Sequence, residues 1–336
     1  MFYLLGESVN LGVGGESAAA RGTGVTPSIW IPARTPSGIR VVQDKTLLRE
    51  TRASGVMSYA SEVTEKRAEG DLEFNLRVNS IGWILQSLFG SSASVAKSAP
   101  NAAVYDHTFS VLLNNPQHPS LTLALRNPGM QDYEYPLALV NTLEIRTPVD
   151  DLVNATVGFI AKTENTHAAY TVSFSDTVDR YFRNQDVTIK VASSVAGLAG
   201  ASAMSVKEFS LSINNNARPN RNIGSTTPSD IIAFLMETTG SMTLDYTGTT
   251  HHDTFTAGTY QAMSITFTRS DVTIGSSANP TLVITLPKVS FEDYTPDRPL
   301  DDIVRENIGF TAHYDSTEAY AIRAVLSNTL TTYTVA

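Results

Sequence analysis

Residues 147–161 read TPVDDLVNATVGFIA and residues 298–312 read RPLDDIVRENIGFTA, an offset of 151 residues without a gap. Seven of the fifteen positions are identical and three more exchange Val, Leu and Ile. Solenoid and propeller repeats recur every ~20–50 residues, so a repeat this widely spaced describes two similar units. In the first copy Val153, Ala155, Val157, Phe159 and Ala161 share one face of a strand. Their counterparts Val304, Glu306, Ile308, Phe310 and Ala312 do the same, with Glu306 the one charge among them. The opposite face, Asn154, Thr156, Gly158 and Lys162 against Arg305, Asn307, Gly309 and His313, is polar or small in both. The duplicated element is a strand with one wet side.

Period-two alternation recurs in DVTIKVAS at 186, EFSLSIN at 208, SITFTRSDVTI at 264 and LVITLPKVSF at 282, separated by turn-forming runs such as RNPG and NNNARPN. This predicts a mainly antiparallel β protein. Two segments carry helical spacing instead. In NSIGWILQSLFG, Ile81, Ile84, Leu85 and Leu88 form a stripe, Asn79 or Ser80 is the candidate N-cap and Gly90 the stop. In PSDIIAFLMETTG, Ser229 is the candidate cap, Ile231, Phe234 and Leu235 the stripe and Gly240 the stop. An offset of 150 pairs Ile81 with Ile231, Leu85 with Leu235 and Gly90 with Gly240. The expectation is two domains, 1–170 and 171–336, each with its own core and one short helix, meeting in KTENTHAAYTVSFSDT.

The 336 residues, 42% of them hydrophobic, suffice for two such cores, and the absence of Cys leaves packing and assembly to stabilise them. MFYLL is apolar for five residues without a basic flank, so no signal peptide or membrane span is expected. A net charge of −9 argues against gripping phosphate backbones.

Motifs for nucleophile elbows, P-loops and paired metal ligands are missing, and neither a cofactor nor a metal is expected. LGVGGESAAARGTG fails the dinucleotide pattern at Ser17 and reads as a flexible arm; His251-His252-Asp253 reads as an exposed loop. The stretch from Glu292 to Glu306 holds six carboxylates and two Arg, without calcium-loop spacing, and reads as a solvated charged face. Asp150-Asp151 and Asp301-Asp302 follow Pro and read as turn-closing pairs that satisfy backbone N–H groups, not as catalytic acids. From Lys45 to Gly70 basic and acidic residues interleave, and this segment reads either as a solvated hairpin or as a protruding loop that contacts another subunit, through Lys45, Arg49, Arg52, Lys66 and Arg67.

GGESAAARGTGVTP resembles the E-x-x-x-G-T-x-x-P opening of tail tube (major tail) proteins of long-tailed bacteriophages, GDLEFNLRVNSIGWILQSLFG is similar to their strand, short helix and closing Gly, and LVNTLEIRTPVDDLVNATVGFIA to the strand pair that follows. VKEFSLSINNNARPNRNIGSTTPSDIIAFLMETTGSMTLDYT resembles the second domain of duplicated members. The resemblance implies two tandem β-sandwich or barrel domains, each flanked by a helix, and strands that join neighbouring subunits into a barrel around DNA. It implies homotrimeric pseudo-hexameric rings that stack, with the N-terminal arm and the long loop reaching the next ring. Tape measure protein, tail terminator and distal tail protein are the implied partners, and the phage tail, after synthesis in the host cytoplasm, the implied location. Glu292, Asp293, Asp301, Asp302 and Glu306 become candidates for lumen charge, repelling DNA that passes without specific binding. The alternatives are a two-domain β-sandwich adhesin or carbohydrate binder, a β-sandwich hydrolase, and another tail ring component such as a terminator or distal tail protein.

Overall fold

The computed structural model describes residues 6, 9–35, 38–50 and 58–334. Its spine is a central antiparallel sheet of eight strands: β1 (Arg40–Leu48), β2 (Ala60–Asn75), β3 (Asp132–Thr147), β4 (Asn154–Ala161), β5 (Val206–Asn214), β6 (Glu237–Asp245), β7 (Thr281–Asp297) and β8 (Arg305–Ala312). They lie side by side in the order β1-β2-β4-β3-β5-β6-β8-β7. The first four strands and the last four follow the same order, so the duplication seen in the sequence is a duplicated four-strand unit.

Register fixes the equivalences. Phe159 on β4 lies opposite Gly70 on β2, and Phe310 on β8 lies opposite Gly240 on β6. The β3–β4 hairpin therefore recurs at the spacing of the sequence repeat, while β2 recurs at a longer one that takes Gly70 to Gly240. Both long strands bulge at the same place, between Val140 and Thr142 on β3 and between Phe291 and Asp293 on β7. A bulge kinks a strand and strengthens its twist. Below these kinks β3 and β7 leave the central sheet and pair with outer strands, Leu121–Arg126 for β3 and Gln261–Thr268 for β7.

The expected first helix is present as α1 (Ser80–Phe89), ended by Gly90 at φ +87, a left-handed position that favours glycine. The second expected helix is not. Residues 229–240 form a short strand, Asp230–Ile232, and the start of β6, while the helix is α2 (Thr250–Ala257), which follows β6 as α1 follows β2. Gly240 is thus the counterpart of Gly70, and its pairing with Gly90 is coincidental. The physical reason lies in Phe234 and Leu235, which are exposed and give a helix nothing to bury its stripe against, while Ile231 is buried opposite Pro219 in a two-stranded ribbon.

One buried cluster runs from Leu11 through Ile81, Val157, Phe209 and Phe310 to Leu326. Strand Arg323–Asn328 pairs with β7 on one side and with Tyr105–Val111 of the first half on the other. Tyr333 is buried against Trp83, His107 and Phe109, and its hydroxyl donates to the Asn79 carbonyl at 2.9 Å. Gly82 makes room, since a Cβ there would stand 2.1 Å from the Tyr333 ring.

The N-terminal stretch expected as a flexible arm is a buried strand, Asn10–Gly15, paired with Ile29–Ile31 and Leu121–Arg126. Glu16 explains the turn that follows. Its carboxylate, 4% exposed, accepts from the backbone N–H groups of Gly22 and Leu137 and from the Ser120 and Thr122 hydroxyls, at 2.6–2.8 Å. A buried charge with four donors is satisfied, and the glutamate of the opening motif is a staple of the fold.

Candidate assembly surfaces

Three surfaces follow from this frame: the free edges of the central sheet, its wet face, and the projections between strands. The edges come first. Where the halves meet, β3 residues Thr142–Thr147 pair with β5 residues Asn214–Phe209. At the ends of the sheet the equivalent edges carry no strand among the described residues. β1 pairs only with β2, and β7 beyond Val289 pairs only with β8.

Register places Asn154, Thr156 and Gly158 on the wet face with Asp71, Glu73 and Glu144, and Asn307 and Gly309 with Asp293 and Thr295. Acids outnumber bases there: Glu69, Asp71, Glu73, Glu144, Glu208, Asp245, Asp293 and Asp297 against Arg40, Arg67, Arg146 and Arg305. Asp293 and Glu292 are exposed on this side, with Glu292 accepting from the Ser290 hydroxyl at the bulge.

Asp301 and Asp302 sit in the β7–β8 turn, where Asp302 accepts from the Ile303 N–H at 2.7 Å and lies 3.2 Å from Arg305. Asp151 does the same for Leu152 at 2.7 Å and pairs with Arg34 at 2.8 Å, which holds its carboxyl below the usual range. The Asp pairs close turns, as their position after Pro predicts.

Glu306 stands apart from the other acidic candidates: it is buried, 1% exposed, on the face opposite Asp293. Its carboxylate accepts from the Tyr294 hydroxyl at 3.0 Å and lies 3.7 Å from His251 Nε2 on α2. Burial, and then this carboxylate, push the Tyr294 hydroxyl up to about 12. The His251-His252-Asp253 run is therefore helical, not a loop, and α2 covers Glu306 with His251 while Phe255 stacks on Tyr294.

The projections differ between the units. The connection between β5 and β6 folds back onto the first half: Asp230 meets Arg21 at 2.7 Å, Arg221 meets Glu65 at 3.1 Å, and the Thr226 carbonyl accepts from the Lys66 N–H at 2.7 Å. The β1–β2 pair instead bulges between Asp44 and Lys45 and exposes Leu47 and Leu48. Of the predicted contact residues, Lys45 and Arg49 are exposed along it, and Arg52 lies outside the described residues. Arg67 is held within the chain by Glu69, Asp44 and Glu65, which raise its already high pKa further.

These features define a class, a mainly antiparallel β chain built from a duplicated sheet unit. The chain belongs to the phage tail tube protein family: the family model described as Phage tail tube protein matches residues 6–312. That is a family of structural proteins of the virion tail, not of enzymes, and the expected resemblance and the mainly β fold are both met. No curated protein matches the chain. The sequence pointed to the duplicated strand and the acidic run, and did not show the buried role of Glu16 or the places of Tyr294 and Arg40. The one carboxylate on an apolar stripe, Glu306, was the available sign that a polar partner had to cover that face.

Proposed function

We propose that three copies of this chain close into a pseudo-hexameric ring by pairing sheet edges, and that such rings stack into the tail tube through which DNA is ejected. The observation that carries this reading is the internal β3–β5 junction, a strand pairing between the two units that leaves the same two edges open at the ends of the sheet. An open edge is a template for another strand, and closure into a barrel removes it. The wet, net acidic face becomes the lumen, where like charge keeps phosphates from adhering. Asp293 and Glu292 are its charge candidates on β7, while Lys45 and Arg49 on the projecting hairpin contact the next ring. Tape measure, terminator and distal tail proteins are the partners expected at the lumen and the tube ends.

Negative-stain microscopy with a mass measurement tests the reading. Rings or tubes with a threefold multiple of 36.2 kDa per ring are the expected result. A monodisperse monomer at high concentration would overturn it.

A further inference from the structure

The duplicated register says more than that edges meet. It states which residues face each other. Arg40 on β1 lies opposite Glu69, and since Gly70 answers to Gly240, the counterpart of Glu69 on β6 is Thr239; Thr239 lies opposite Ser212. Arg40 is therefore the counterpart of Ser212 on β5. Ser212 lies opposite Glu144 on β3, flanked diagonally by Thr142 and Arg146. Their counterparts on β7, at the spacing that takes Phe159 to Phe310, are Thr295, Asp293 and Asp297.

Resting on the ring reading, we infer that β1 of one chain pairs antiparallel with the open edge of β7 of the next, Arg40 opposite Thr295 and Val42 opposite Asp293, with Arg40 clasped between Asp293 and Asp297. Diagonal neighbours on one face of an antiparallel pair stand ~7–8 Å apart, within reach of an arginine. Arg40, Asp293 and Asp297 are all exposed in the single chain. The internal junction has Ser212 where this one has Arg40, and Thr142 and Arg146 where this one has two aspartates. The difference has a physical reason. Inside the chain the connection already holds the partners together, whereas separate copies must find each other, and opposite charge speeds and orients that encounter.

The chain has no cysteine, so introduced pairs report unambiguously. In a Val42→Cys, Asp293→Cys variant, mild oxidation of assembled rings is expected to link chains covalently on a denaturing gel, because directly opposed strand residues fall within disulfide reach. The shifted pair, Val42→Cys with Thr295→Cys, is expected to link at least about tenfold less. Rings that form but link only through the shifted pair overturn this register and leave the ring reading standing; absence of any ring overturns both. Independently, Arg40→Asp is expected to raise the concentration needed for assembly by about tenfold or more, and Asp293→Arg with Asp297→Arg in the same chain to restore it. Rings whose assembly is indifferent to both changes would overturn the clasp.

Discussion

The two four-strand units share strand order, bulge and turn, yet they seal their apolar faces by different means. In the first unit the buried positions Ile81, Leu143 and Ala155 are all apolar and α1 is buried along nearly its whole length. In the second the same three positions are His251, Tyr294 and Glu306, and no residue of α2 is buried. The lesson is that the strand frame is set by the sheet register, while the layer above it can be either a packed helix or a thin polar lid. Exchanging residues between equivalent positions tests how far that independence extends.

The largest effect is expected from Ala155→Glu, which puts into the first unit the carboxylate that the second unit tolerates. Leu143 stands there in place of Tyr294, so the charge is buried without a donor and should cost about 4 kcal/mol in denaturant unfolding. The reverse change, Glu306→Ala, removes one hydrogen bond and a little volume, and about 1–2 kcal/mol is expected. Similar costs for the two exchanges would mean that the units are more alike than their residues.

Next come the helix caps. The N–H groups of Asn79 and Ser80 donate to Asp179 Oδ1 at 2.6 and 3.2 Å, and the Ser80 hydroxyl donates to the same carboxylate, brought from a distant part of the chain. Burial holds that carboxyl above its usual range despite these donors. Asp179→Ala should lower stability by about 2–3 kcal/mol in thermal unfolding. On α2 the equivalent contact is local and exposed, Thr249 Oγ1 to Asp253 at 2.9 Å, and Asp253→Ala should cost no more than about 0.5 kcal/mol.

A smaller difference separates Gly158 and Gly309, equivalent positions beside the two bulges. A Cβ at Gly158 would stand 2.4 Å from Thr142 Oγ1, whereas at Gly309 the nearest atom is Asp293 Cβ at 3.3 Å. Gly158→Ala is expected to destabilise by about 1–2 kcal/mol and Gly309→Ala by less than half of that. Chemical denaturation of the two single variants reads the contrast.

The smallest effect is one of pH. His107 and His118 of the first half are buried, and burial lowers both imidazoles, so they fold neutral. A base depressed on folding contributes stability above its unfolded value of about 6.5, and that contribution is lost as pH falls through and below it. Hydrogen-exchange protection factors, corrected for the intrinsic rate at each pH, should therefore fall more between pH 7 and pH 5 around Tyr105–Val111 than around β8.

Much of this fold was legible in the sequence. Alternation marked β4, β5, β7 and β8 and the outer strands Val187–Ala192 and Gln261–Thr268, and the α1 stripe with its closing glycine marked the one helix that buries a face. What stayed hidden has physical causes. THHDTFTA carries no apolar stripe, because α2 covers its sheet with half-exposed polar residues and one stacked ring. The apolar letters of IIAFLM promised a helix, but register with Pro219 claimed Ile231, and Phe234 and Leu235 stayed outside. The helix and the hairpin repeat at different distances because the loops between them differ in length, which a single-offset comparison cannot see. Long-range contacts such as that of Asp179 with the start of α1 leave no local trace at all.

The shared strand Arg323–Asn328 also governs the order in which this chain can fold. Leu326 sits opposite His107, and Tyr333 bonds to Asn79 across 254 residues of sequence. Contacts this distant form slowly, because the entropy of closing the loop is spent before they return anything. Until that strand docks, the edge of Tyr105–Val111 is open to the wrong neighbour, including the same strand of another copy. A protein with edges meant for its own kind thus carries one more, which only the docking of Arg323–Asn328 from the far end of the chain covers.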